Sequence, residues 1–156
     1  MPNSYGVEEG ENMKTIGKQV ADLREYYGYT QRELAREIDR REKYIISLEA
    51  DETTPKIDDL VKIANAFDVS LDRIVGRKYY RRPLPKLRNV EFHKRVAEYR
   101  NSLNMYKFEL AKQASITTYR MTRFEQGEAR LNIYEIIDIA DTFQVPLDYL
   151  VGRIRL

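Results

Sequence analysis

The chain has 156 residues, 42% of them hydrophobic and 33% charged, a balance that builds cores beneath a highly charged surface and predicts a globular protein. No run of eighteen apolar residues occurs and the opening MPNSYGVEEGENMK is acidic and polar, which argues against membrane insertion and secretion. The absence of cysteine excludes disulfides and thiolate metal sites and fits the cytoplasm, while a net charge of +2 gives by itself no argument for a polyanionic partner.

Residues 1–14 carry no periodic pattern and read as a mobile N-terminal tail. Ile16, Val20, Leu23 and Tyr27 then recur at helical spacing and predict a first helix over 15–27. After a break at Gly28, TQRELAREI opens a second helix with the capping-box pattern of Thr30 and Glu33. From Gln31 to Ala50 two short helices meet over a tight turn. Ala35 supplies the small residue at their closest approach, and Leu34, Ile38, Ile45 and Leu48 point inward. Ile57, Leu60, Ile63, Ala64 and Phe67 form a further stripe, and a short helix within 69–75, capped by Ser70, closes the unit.

RKYYRRPLPKLRNVE follows, where Pro83 and Pro85 discourage helix and favour an extended linker. This is the basic element of the chain: residues 78–91 hold 5 Lys and Arg against 1 acidic residue, compared with 11 against 13 in residues 16–77 and 9 against 8 in residues 92–153. The linker either only tethers or tracks phosphates. About 14 extended residues span at most roughly 45–50 Å, which covers two DNA half-sites one helical turn, about 34 Å, apart.

Beyond the linker the pattern starts again. A shift of 76 residues aligns 16–77 with 92–153 without a gap and gives 19 identities in 62 positions, the clearest being LDRIVGR at 71–77 against LDYLVGR at 147–153. Phe92, Val96, Tyr99 and Leu103 repeat the first stripe over 91–103, and Leu110, Ala111, Ala114, Met121 and Phe124 repeat the inward set. Ile133, Ile136, Ile139, Ala140 and Phe143 repeat the fourth helix, and Pro146 starts the last one. The expected fold is all-α, with a tail at 1–14, a five-helix domain at 15–77, a linker at 78–90 and a second five-helix domain at 91–156.

TQRELA, the inward residues of the third helix, the Leu48-Glu49 and Phe124-Glu125 pairs and the closing VSLDRIVG together resemble the phage-repressor and Cro, or Xre, type of helix-turn-helix domain. The resemblance spans about 124 of the 156 residues, taken twice. It implies a transcriptional regulator, more often a repressor, that binds double-stranded DNA without cofactor or metal and enters the major groove with the third helix. Carried over by position, Arg41, Glu42, Lys43 and Ser47 in the first copy and Thr117, Thr118, Tyr119 and Arg123 in the second would face bases. Gln31 and Lys107 would sit where the family holds a phosphate. Arg123 and Lys43 suit guanine acceptors, and threonine methyls suit the thymine methyl.

The copies depart from that pattern unequally. The turn glycine is replaced by Asp39 and Ser115. Arg40 and Arg41 stand where the second copy has an apolar residue and a cap, Ile116 and Thr117, and Ala50-Asp51 stands where it has Gln126-Gly127. Tyr44 and Ile46 fall on a helix face that should be polar. These features motivate an alternative in which residues 16–77 hold a protein partner or self-associate, as an antitoxin-like or anti-repressor-binding module, and do not contact DNA. Because the reading positions differ, a monomer implies an asymmetric operator, whereas a homodimer would restore symmetry by pairing like copies. Arg36 and Lys112 read as solvated surface, and His93 has no catalytic or metal-binding companion. With no nucleophile, metal or phosphate-loop spacing in the chain, an enzyme is not expected.

Overall fold

Thr15, Thr30 and Ser70 each turn a side-chain oxygen onto the amide three residues later, and each opens a helix by satisfying a donor that the first turn leaves unpaired. The computed structural model describes residues 14–78 and 91–153. The expected tail, apart from Lys14, the linker from 79 onward and residues 154–156 lie outside them. The chain divides into two units, 1–79 and 80–156.

In the first unit the helices are α1 (Ile16–Tyr26), α2 (Gln31–Glu37), α3 (Glu42–Glu49), α4 (Ile57–Phe67) and α5 (Leu71–Ile74). In the second they are α6 (Phe92–Ser102), α7 (Lys107–Gln113), α8 (Thr118–Glu125), α9 (Ile133–Phe143) and α10 (Leu147–Val151). Among the described residues the fold is all-helical, as the periodicity predicts. The capping box at Thr30 and Glu33 is present, with Glu33 accepting from the Thr30 amide at 2.8 Å. That amide, followed by the Thr30 hydroxyl, holds the Glu33 carboxyl below its ordinary range.

The repeat extends to the backbone. Ten residues of the described chain have positive φ, and they fall into five pairs 76 apart: Gly28 with Asn104, Asp39 with Ser115, Asp51 with Gly127, Asp68 with Gln144, and Gly76 with Gly152. Each pair lies where a helix has ended and the chain must turn. Left-handed geometry is therefore imposed by helix packing even where the residue is not glycine.

Each unit buries its own core. Val20, Leu34, Ile38, Ile45, Leu60, Ile63, Leu71 and Ile74 have no exposed surface in the first, nor do Val96, Leu110, Met121, Ile133, Ile139, Val145, Leu147 and Leu150 in the second. Burying each such side chain contributes about 1.5–3 kcal/mol. Two stripe residues differ from expectation: Tyr27 and Leu103 are 40% and 46% exposed. Both are the residue just past the helix, at the C-caps of α1 and α6, and Tyr27 lies flat on Phe67 from outside, ring centroids 5.2 Å apart.

Three charge pairs staple each unit. Arg24 grips Glu49 through Nε and Nη2 at 2.5 and 3.1 Å and gives Nη1 to the Tyr29 carbonyl at 2.7 Å. Arg100 repeats this on Glu125 at 2.6 and 3.0 Å and on the Met105 carbonyl at 2.7 Å. Arg77 meets Asp72 at 2.7 Å, and Arg153 pairs with Asp148 in the same way. The third pair changes partner: Arg40 forks onto Asp59 at 3.0 and 3.1 Å in one unit, and Arg120 pairs with Glu135 in the other.

Candidate nucleic-acid interface

The α2–α3 crossing is set at Ala35, which is 2% exposed and leaves room for the two helices to meet. The turn after α2 is closed by the amides of Asp39 and Arg40, which donate to the carbonyls of Arg36 at 3.2 Å and Ala35 at 2.8 Å, with Asp39 left-handed at φ 56°. In the second unit Ser115 and Ile116 donate to Lys112 at 3.2 Å and Ala111 at 3.0 Å, and Ser115 has the same φ of 56°. Both turns therefore aim the following helix alike, although neither contains glycine.

With Ile45 and Leu48 locked inward, the opposite side of α3 faces solvent. Arg41, Glu42 and Lys43 are exposed there, Ser47 is half-buried, and none of the first three forms an ion pair with a described residue. Arg41 is the N-cap of α3, and its guanidinium, which has no acceptor, makes no cap bond to the helix. On α8, Thr118, Tyr119 and Arg123 are exposed, with Tyr119 at 71%. Thr117 is exposed too, but its hydroxyl oxygen accepts from the Arg120 amide at 3.1 Å and so starts the helix. Of the expected base-facing residues, Arg41 and Thr117 are thus exposed caps ahead of α3 and α8, Glu42, Lys43, Thr118, Tyr119 and Arg123 are exposed on the helices, and Ser47 is half-buried.

Gln31 and Lys107, at the first positions of α2 and α7, are tied to the charge pairs. Gln31 Nε2 donates to Glu49 Oε2 at 2.8 Å, and Lys107 Nζ lies 3.8 Å from Glu125 Oε2. The buried carboxylates hold these side chains at the rim of the face. Gln31 keeps one amide hydrogen for another acceptor, and the ammonium has three donors to share.

Tyr44 is where the structure departs most from the sequence reading. It is half-buried rather than displayed, and its hydroxyl donates to Asp59 Oδ2 at 2.9 Å while Arg40 lies over its ring at 5.4 Å. Burial, reinforced by the bond to Asp59, raises the phenol well above its ordinary pKa. Of the two residues that suggested a protein-binding face on α3, only Ile46 is exposed, at 46%. Arg120, half-buried on α8, is also recruited inward. It pairs with Glu135 and donates to the Arg130 carbonyl at 3.2 Å.

Residues 20–74 match the helix-turn-helix family model. Over these residues the first unit is similar to a helix-turn-helix domain. A 63-residue stretch is 32% identical to the HTH-type transcriptional regulator ImmR of Bacillus subtilis (strain 168), covering 40% of this chain and 50% of that protein. The chain therefore spans about half the length of the curated relative it matches. A solved transcriptional regulator from Listeria innocua is 21% identical with a TM-score of 0.38, over 63% of this chain and 84% of its own, too loose a superposition to bear on the fold. Within the first unit the matched span runs from Val20 in α1 to Ile74 in α5 and so contains both the α2–α3 turn and the exposed face of α3.

The Arg24–Glu49 and Arg100–Glu125 staples, which fix the ends of α3 and α8, are pairings that the sequence reading did not make. Their signal was present: Arg24, Arg100, Glu49 and Glu125 are charged identities in a set otherwise mostly small or apolar.

Proposed function

We propose that this chain is a sequence-specific, double-stranded DNA-binding transcriptional regulator that acts as a repressor by occupying its site, and that its second unit is a second helix-turn-helix domain. The observation that carries the proposal is the repeated construction of one solvent-facing polar helix side, on α3 and again on α8, over an identical turn. Such a helix fits the major groove, where its first residues meet base edges. Arg41, Lys43 and Arg123 suit guanine, Glu42 suits the cytosine amino group, and Thr117 and Thr118 suit thymine. Gln31 and Lys107 lie at the edge of each face, where a phosphate would pass.

Measuring affinity for random duplex DNA against salt concentration tests the binding itself. The expected outcome is a linear fall of log affinity with log salt, with a slope of about −0.9 for each phosphate neutralised. No measurable binding at low salt would exclude the proposal.

A further inference from the structure

We propose that Glu128 is a specificity-determining residue of the second unit, acting as a buttress that fixes which edge of Arg123 is offered to a base. This rests on the reading of α8 as a base-reading helix. Arg123 and Glu128 are both solvent-exposed, with Arg123 Nε 3.4 Å from Glu128 Oε2. The guanidinium also lies over the Tyr119 ring, 5.9 Å from its centroid, within the range of a cation–π contact. An arginine carries five N–H donors in a rigid fork. With Nε beside the carboxylate, the two terminal nitrogens would be the pair that engages O6 and N7 of guanine.

The backbone places the buttress. Gly127 is left-handed at φ 78°, and the Glu128 amide donates to the Arg123 carbonyl at 2.8 Å. The carboxylate is thereby anchored to the same last turn of α8 that carries the arginine. The first unit keeps the scaffold without the pair. Glu52 repeats Glu128, and its amide donates to the Ser47 carbonyl at 2.9 Å, but serine stands where the arginine would be. An exposed carboxylate beside DNA repels phosphates. Glu128 therefore lowers affinity for every sequence while sharpening the choice of one.

The test uses the full chain with duplexes selected from a random pool. Affinities are then measured for the selected duplex and for versions with each guanine replaced, using wild type, Arg123→Ala, Glu128→Ala and Glu128→Gln. Arg123→Ala should erase the preference at one base pair, about 5- to 150-fold for a bidentate arginine–guanine contact. Glu128→Ala should cut that same preference about tenfold, within that range, and raise affinity for random duplex. Glu128→Gln should raise random-duplex affinity equally, since it removes the same charge, yet recover much of the preference because its amide oxygen can take the same place beside Nε. Equal changes on all sequences for both Glu128 variants would overturn the buttress and leave Glu128 as a repelling charge only. Absence of any single-base effect in Arg123→Ala would overturn it as well. Loss of all DNA binding in the wild type would instead remove the underlying reading.

Discussion

At position 17 the first unit has glycine where the second has His93, and at position 51 it has aspartate where the second has Gly127. These two differences compensate. A Cβ on Gly17 would lie 2.1 Å from the Leu48 carbonyl oxygen and 2.6 Å from Asp51 Oδ1, whereas a Cβ on Gly127 would lie 3.0 Å from His93 Nε2. One partner is large in each unit and glycine gives way on the other side. Asp51 also accepts from the Thr15 hydroxyl at 2.7 Å, tying the start of α1 to the end of α3. Gly17→Ala is expected to cost about 1–3 kcal/mol in denaturant unfolding, as overpacking does. Gly127→Asp should be similarly damaging in the second unit, and His93→Gly should relieve the contact with His93 but not the strain of a side chain at φ 78°. Read as sequence, Asp51 looks like a lapse from the family pattern; the compensation with Gly17 needs the packing of α1 against α3 to be seen.

Asp138 gives a pH-dependent case. Burial raises its carboxyl pKa, and the nearby Asp141 and Glu135 raise it further. The folded state therefore takes up the proton before the unfolded state does. Stability at this position is lowest when the carboxylate is ionised and increases as pH falls through the folded pKa towards the unfolded one. Asp138→Asn should stabilise the chain at neutral pH, with the gain over wild type shrinking as acid protonates the aspartate. Thermal unfolding across that pH range measures it.

Among the elements, α3 and α8 are held by the Arg24–Glu49 and Arg100–Glu125 pairs, which tie each to α1 or α6 and to the loop that follows it. In the second pair the side chains are 9% and 6% exposed, so removing one partner strands a charge. Arg100→Ala is expected to cost about 3–5 kcal/mol. Replacing both Arg100 and Glu125 by apolar residues of similar volume should recover most of that loss in the same unfolding measurement, because the uncompensated charge disappears. The helices themselves were legible in the sequence, since their stripes and caps are local. The pairing of residues 25 apart was not, because it depends on where α1 and α3 come to lie. Tyr44 shows the same limit. Its position on the helix suggests an exposed ring, but Asp59, 1% exposed at the start of α4, draws its hydroxyl inward.

For the whole molecule, the repeated scaffold and the unlike faces lead to one expectation. The pairs Arg41 with Thr117, Glu42 with Thr118, Lys43 with Tyr119 and Ser47 with Arg123 contain no identity, whereas Arg24, Glu49, Asp72 and Arg77 all recur at the shift of 76. Selection of duplexes by the full chain should therefore return a sequence in which two blocks differ. Substituting Arg41 and Lys43 by alanine should relax one block and leave the other unchanged. A site in which Arg41 and Lys43 substitution relaxes the same motif that Arg123 reads would contradict this.

The internal repeat, the helix order and most inward residues, Tyr27 and Leu103 excepted, were determined by the sequence alone, because periodicity, caps and self-similarity are properties of the chain itself. The LDRIVGR identity was visible there too, but its reason, an ion pair between Asp72 and Arg77 around a left-handed Gly76, was not. Only the tertiary structure decided which charged side chains are spent on holding helices together, as Arg24, Arg40, Arg100 and Arg120 are, and which remain at the surface, as Arg41, Lys43 and Arg123 do. That division follows from which carboxylates the folded helices bring within reach, and distance along the chain does not encode it.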